Sequence, residues 1–305
     1  MNAQLYGVDM FGASMAPKPS GPVAERFLFS PFTVLDAKSG EWLERKRAWL
    51  SVGMKSEVGR AAKAYNGHEW QRQVNGKAVT DGDGTSIFDP VLCELAYRWF
   101  CPEGGQVVDP FAGGSVRGIV AAQLGKHYWG CDLRAEQVAA NRAQADEICA
   151  GNVPVWVCGD SMETLSDAPA ADFIFSCPPY GDLEVYSDDP ADLSNMEWHT
   201  FVAAYKRIIL RAIERLKDDR FACFVVGDFR DPKGFYRDFV STTIRAFEEC
   251  GARLYNEAIL ATPVGSACMR VTKQFDASRK MAKTHQNVLV FCKGDPRKAA
   301  GACKT

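Results

Sequence analysis

The chain has 305 residues, of which 47% are hydrophobic and 24% charged, and its formal net charge is −2. This is an ordinary globular composition, long enough for one large α/β domain with an appendage. The 11 cysteines include no CxxC pair and the four histidines are scattered, which excludes a disulfide scaffold and a zinc ribbon, gives no expected metal site and fits a reducing cytoplasm.

No apolar run approaches the ~20 residues needed to span a bilayer, and the first twenty residues show no basic, then apolar leader. No membrane partner is expected. The slightly acidic balance weighs against nucleic acid, yet basic residues cluster locally, at Arg45, Lys46 and Arg47 and again at Arg270, Lys273, Arg279, Lys280 and Lys283.

In chain order, residues 1–30 are rich in Gly, Pro, Ala and Ser and read as a loosely docked arm. Residues 41–50 read as an amphipathic helix, with Trp42, Trp49 and Leu50 near one face. Residues 75–84 read as a loop, so residues 1–84 form an arm with a helical extension. Beyond it strands are predicted at 107–108, 128–131, 153–157, 173–175, 221–226, 254–260 and 288–291. Helices are predicted at 116–124, 135–149, 198–216 and 239–249. This alternation predicts a doubly wound α/β fold over residues 85–297, with a mostly parallel sheet and helices on both faces, and leaves 298–305 as a tail. Ligands in such sheets sit beyond the carboxyl ends of the strands.

Three strand ends carry chemistry. Val108-Asp109-Pro110-Phe111-Ala112-Gly113-Gly114-Ser115 is a strand end, a glycine-rich turn and a helix start, where backbone approaches a ligand closely and free amides face it. Gly130-Cys131-Asp132 ends the next strand; Asp132 either holds the hydroxyls of a ribose or caps the following helix, and the neighbouring motif favours the ribose. Asp160 ends the third strand, with an adenine amino group and a cap as equal alternatives. Phe175-Ser176-Cys177-Pro178-Pro179-Tyr180 follows a buried strand. Two prolines stiffen that loop and remove amide donors, leaving outward carbonyls beside an aromatic face, a combination suited to gripping a flat base.

Asp109 to Gly114 resembles the Asp-Pro-Phe-x-Gly cofactor motif of the DNA amino-methyltransferases, which act on N6 of adenine or N4 of cytosine. Ser176 to Tyr180 is similar to that family's (Asp/Asn/Ser)-Pro-Pro-(Tyr/Phe/Trp) catalytic motif. Phe88-Asp89-Pro90 resembles the segment that closes over the methionine end of the cofactor, and residues 285–291 resemble the closing strand, with Lys293-Gly294-Asp295 following similarly. The compact layout, with the cofactor motif first, is similar to that of phage modification enzymes. The resemblance implies a seven-stranded Rossmann-like methyltransferase sheet, S-adenosylmethionine as cofactor and double-stranded DNA as partner. Cofactor contacts would fall on Phe88, Asp89, Asp109, Pro110, Phe111, Ala112, Gly113, Gly114, Ser115, Asp132 and Asp160, and catalysis on Ser176, Cys177, Pro178, Pro179 and Tyr180. Two positions depart from the pattern: Gly113-Gly114-Ser115 stands where Gly-x-Gly is common, and Cys177 where Asp, Asn or Ser is usual.

In the implied mechanism a flipped base stacks on Tyr180 while the Pro178 carbonyl and a second acceptor draw on its amine hydrogens. A thiol is a poor acceptor. Asp182 and Glu184 are alternatives for that role, though a solvated acidic loop is the plainer reading. Cys177 also opens a C5-cytosine route, as a thiolate adding to C6, without the Pro-Cys-Gln or Glu-Asn-Val of ordinary C5 enzymes. A dinucleotide-binding oxidoreductase fits less well, because G-x-G-x-x-G is not matched; a binding module without catalysis is the remaining alternative. DNA contacts are expected from Arg45, Lys46 and Arg47 and from residues 262–285, a small recognition insert with Gly265, Ser266, Arg270, Lys273, Gln274, Arg279 and Lys280.

Overall fold

A computed structural model of the chain describes residues 22–55, 88–181, 189–264 and 267–304. The strands are β1 Val34–Asp36, β2 Gln106–Asp109, β3 His127–Asp132, β4 Val155–Cys158, β5 Ala171–Ser176, β6 Leu216–Val226, β7 Ala252–Ala261 and β8 His285–Lys293. They form one sheet of eight strands in the order β1-β7-β8-β6-β5-β2-β3-β4. Every neighbouring pair is parallel except those of β8, which runs antiparallel to both β6 and β7. The sheet is therefore doubly wound and mostly parallel, with eight strands where seven were expected. The added strand is β1, which joins β7 at the edge through the register Val34↔Ile259.

Alternation along the strands divides the core into two layers. Phe173 and Phe175 of β5 and Phe221, Cys223 and Val225 of β6 face one cluster; Ile174, Ala222, Phe224 and Val226 face the other. Onto the second face pack two amphipathic helices, Trp198–Arg215 and Phe239–Glu249, which bury Phe201, Tyr205, Ile209, Phe239 and Phe247.

The first face is covered from the N-terminal side by α2 (Gly40–Leu50) and α3 (Pro90–Phe100), after a short helix α1 (Pro22–Phe27). α3 was not read from the sequence. Pro90 stands at its start and the Asp89 carboxylate caps it by accepting from Val91 N at 3.0 Å. Residues Pro90 to Tyr97 are all buried, so the helix has no polar face to give it away.

Its buried Glu94 explains α2. Arg45 donates to both Glu94 oxygens at 2.7 Å, and Trp49 Nε1 donates at 2.7 Å. Arg45 is only 1% exposed. The expectation of a DNA contact there is corrected: a guanidinium spent on a buried carboxylate is not available to phosphate. Lys46 ion-pairs with Asp89 at 3.1 Å, while Arg47 is exposed.

The C-terminal residues expected as a tail include a helix, Pro296–Ala302, whose Ala299 is buried. The expected insert contains a helix too, α9 (Ala267–Ser278), exposed from Thr272 to Ser278. The loop at 75–84, the first 21 residues, Asp182, Glu184, Gly265 and Ser266 lie outside the described residues.

Candidate functional site

Strand order reverses between β2 and β5: β3 and β4 lie to one side, β6 to the other. Such a switch point opens a crevice at the carboxyl ends of the strands. Here it is a cleft of about 750 Å³, lined by both predicted loops, a size typical of small-ligand sites.

The wall behind the cleft is organised by Asp109. Its carboxylate is fully buried and accepts from Arg117 Nε at 2.6 Å, Tyr128 OH at 2.8 Å, Ser176 Oγ at 2.5 Å and Phe111 N at 3.1 Å. Burial disfavours the charge on Arg117, but the charge and hydrogen bond of Asp109, together with Tyr128 and Cys177, raise its pKa net. Arg117 also donates to the Phe111 and Ala112 carbonyls and lies over the Phe88 ring at 4.6 Å. One ion pair thus sets the path of the whole glycine-rich turn.

Among the residues predicted for the cofactor, Phe88, Asp89, Pro110, Phe111, Gly113, Gly114, Asp132 and Asp160 line the cleft. Asp109, Ala112 and Ser115 do not; all three are buried behind it, and Ser115 Oγ is bonded to Gln144 at 3.2 Å. Gly113 has φ +51°, which a residue with a Cβ adopts at a cost. Its amide donates to Asp132 Oδ2 at 3.0 Å, while Asp132 Oδ1 accepts from Arg134 N at 2.9 Å. Asp160 is a helix cap, accepting from Met162 N at 2.8 Å, and lines the cleft as well.

On the other side of the cleft stand Cys177, Pro178, Pro179 and Tyr180; Ser176 lies underneath as the Asp109 partner. The Tyr180 hydroxyl accepts from Gln286 Nε2 at 2.8 Å. Its ring stacks on Phe229 at 6.4 Å and 17° and meets Phe239 edge-on at 5.9 Å. The Cys177 thiol lies 3.9 Å from the Tyr180 hydroxyl.

Several cleft residues were not foreseen. Arg117, Lys46, Asp192, Asp228, Phe229, Lys283, His285 and Gln286 line the cleft too. Burial lowers the Lys283 pKa against the pull of Asp228. Burial and the neighbouring Lys283 together lower that of His285, again opposed by Asp228. His285 opens the closing strand and Lys283 lies two residues before it, and their place at the start of the family-like segment was the available signal.

Of the residues predicted for DNA, Lys273 and Arg279 are exposed and Lys280 half-buried; Arg270 falls within α9. Lys46 faces the cleft rather than an outer surface.

No protein-family model matches the chain, and no curated protein matches it. Among solved structures, TrmN from Thermus thermophilus is 15% identical over 68% of this chain and 49% of its own, with a TM-score of 0.45. This chain thus spans about half the length of that protein. A precorrin-6y C5,15-methyltransferase from Geobacter metallireducens is 14% identical over 67% of this chain and 87% of its own, with a TM-score of 0.44. Magnesium protoporphyrin IX methyltransferase from Synechocystis, with bound SAM, is 13% identical over 78% of this chain and 97% of its own, also at 0.44.

Proposed function

We propose that this chain is an S-adenosylmethionine-dependent methyltransferase that modifies a base in double-stranded DNA, with the exocyclic amine of cytosine or adenine as target. The observation that carries this reading is the convergence of two loops on one cleft. The glycine-rich loop after β2 and the Pro-Pro-Tyr loop after β5 meet at the switch point, joined beneath by Ser176 and Asp109.

The cofactor side suits this ligand's chemistry. Gly114 and Val116 open the N-terminus of the helix Val116–Gln123 to the cleft, where amides without helical partners favour a carboxylate. Asp132 accepts from the Gly113 and Arg134 amides, which fixes its carboxylate in the cleft wall, where it suits the hydroxyls of a ribose. Asp160 retains capacity beyond its cap for an amino group. When bound, S-adenosylmethionine supplies an electrophilic methyl group.

The remaining work falls to the protein. Tyr180, braced on Phe229 and held by Gln286, presents a fixed ring for stacking a flipped base. The Pro178 carbonyl accepts an amine hydrogen, which raises electron density on the attacking nitrogen. His285 and Asp228 line the same cleft and are further acceptors. The exposed helix α9 and Arg279 and Lys280 after it supply cations for phosphates.

A second reading, C5-cytosine methylation, draws on the place of the Cys177 thiol in the cleft wall. Nucleoside analysis of duplex DNA treated with enzyme and S-adenosylmethionine separates the two. N4-methylcytosine or N6-methyladenine supports the amine reading, and 5-methylcytosine replaces it with the C5 reading. Cofactor binding without any DNA methylation removes DNA as the substrate, and binding of NAD in place of S-adenosylmethionine removes the methyltransferase.

A further inference from the structure

Directly after the cleft the chain makes a tight hairpin that the motifs do not include. Its root is Asp228 and Phe229, both in the cleft wall, and Phe229 stacks on Tyr180. Arg237 N donates to Phe229 O at 2.9 Å and Asp231 N to Phe235 O at 2.8 Å, and Arg230 pairs with Tyr236 across the hairpin. The turn is fastened further by Phe235 N to Asp231 Oδ1 and Arg230 Nη1 to Gly234 O, each at 2.8 Å, and the Arg230 guanidinium lies 4.1 Å over the Tyr236 ring.

On the outgoing arm, directly after the Asp231–Gly234 turn, Phe235 is 72% exposed. A hydrogen-bonded turn that holds a phenylalanine in water stabilises nothing within the monomer by that side chain, since apolar surface is favourable only when removed from water. The surroundings are cationic. Lys233 is exposed beside it, and the nearby carboxylate of the turn, Asp231, is turned inward to accept from the Phe235 amide. A Cβ at Gly234 would lie 2.7 Å from Lys280 Cε and Nζ, so the tip rests against the end of the basic segment. Three residues on, Lys283 lines the cleft.

We propose that this hairpin is a wedge: Phe235 enters the base stack of a DNA duplex and fills the gap left by the base that turns into the cleft. The inference rests on the DNA reading above. A flipped base leaves its neighbours unstacked at a cost of a few kcal/mol, and an apolar side chain inserted between base steps offsets part of it. Lys233 and Lys280 meet the phosphates on either side. A pre-formed turn loses little conformational freedom on insertion. Phe229, at the root of the hairpin, stacks on Tyr180 of the loop after β5, so the segment that extrudes the base also braces the ring that captures it.

The test compares wild type, Phe235→Ala and Phe235→Trp on two duplex oligonucleotides containing a methylation site mapped by sequencing treated DNA. One is fully paired; the other has an abasic position opposite the target base, so that the base is already unpaired. For Phe235→Ala, kcat/KM on the paired duplex is expected to fall about tenfold or more, the scale of one lost base–aromatic stack. On the abasic duplex it is expected to stay within about twofold of wild type. Phe235→Trp should retain activity on both, and S-adenosylmethionine affinity and thermal stability should be unchanged in both variants. An unchanged kcat/KM on the paired duplex, or an equal loss on both duplexes, overturns the wedge while leaving the DNA reading standing. Wild-type enzyme that methylates no duplex at all removes the DNA reading itself, a result seen without any variant.

Discussion

Ser176 Oγ donates to Asp109 Oδ1 at 2.5 Å across the switch point, fastening the strand that carries the Pro-Pro-Tyr loop to the strand that carries the glycine-rich one. The same carboxylate neutralises the buried Arg117. Asp109→Ala strips a buried cation of its partner and is expected to cost about 3–5 kcal/mol of stability. Ser176→Ala removes a hydrogen bond to this charged group and a second acceptor of the Phe111 amide, and is expected to cost about 1.5–3 kcal/mol. Urea denaturation followed by circular dichroism measures both. Equal stability of Asp109→Ala and wild type would show that the cluster is not what holds the two loops.

Asp132 is the cleft residue on which the ribose assignment depends. Asp132→Ala is expected to weaken S-adenosylmethionine binding by about 1–3 kcal/mol, read by isothermal titration calorimetry. Part of that loss comes through Gly113, whose amide the carboxylate holds. Asp132→Asn keeps an acceptor for Gly113 and should bind with intermediate affinity. An unaltered affinity in the alanine variant, with the fold intact, sinks the assignment.

Cys177 decides between the two chemistries. If the target is an exocyclic amine, the thiol is a neighbour of the base and Cys177→Ser restores the residue usual in the resembled family, so activity should survive or rise. If the target is C5, serine is too weak a nucleophile at neutral pH and activity should vanish while both ligands still bind. We expect survival, and no covalent complex with DNA carrying 5-fluorocytosine. An inactive serine variant together with a trapped adduct would reverse the assignment.

DNA affinity should fall with salt in proportion to the phosphates neutralised. Changing Lys273, Arg279 and Lys280 together to Gln is expected to reduce the slope of log K against log salt by up to about 2.7. Fluorescence anisotropy between low and moderate salt gives the slope. An unchanged slope would place the phosphate contacts on other surfaces.

Glu94 links stability to acid. Burial pushes its pKa up, but the hydrogen bonds and charge of Arg45, with Arg98 and Trp49, pull it net below the usual glutamate range. A carboxyl with a depressed folded pKa contributes stability that is complete above its unfolded pKa, about 4.3, and is lost as pH falls through the folded value. Glu94→Gln should therefore be destabilised at neutral pH and show a flatter loss of stability below about pH 4.3. Denaturation midpoints across that range check the sign; parallel curves for the two proteins would contradict it.

What the sequence made legible was concentrated at strand ends. Asp109-Pro110 and Pro178-Pro179 stop strands by backbone chemistry that needs no partner elsewhere in the chain, and both turns stand where they were expected. Helix α3 escaped because nearly every residue of it is buried, which erases the polar stripe that periodicity detects. Arg45 was misread for the same reason at one remove. In a run of charges it looks solvated, and only Glu94, 49 residues on, shows it to be internal. The split of the predicted cofactor residues into lining and backing was equally out of reach, since Asp109 and Asp132 both end strands, and only packing decides which carboxylate faces the cleft. β1, three residues long, carries too little pattern to be read at all.

The edge strand β1 also gives the chain a timetable. Arg45, Trp42 and Trp49 find their partners at Asp89 and Glu94, so α2 can settle soon after α3 leaves the ribosome. β1, only a few residues earlier in the chain, pairs with Ile259, Leu260 and Ala261, which are made near the end of synthesis. A contact of such long sequence separation closes late. The N-terminal segment is thus tied at its helix to a neighbour close in the chain and at its strand to one far along it, and the sheet gains its outermost member only after β7 has been laid down.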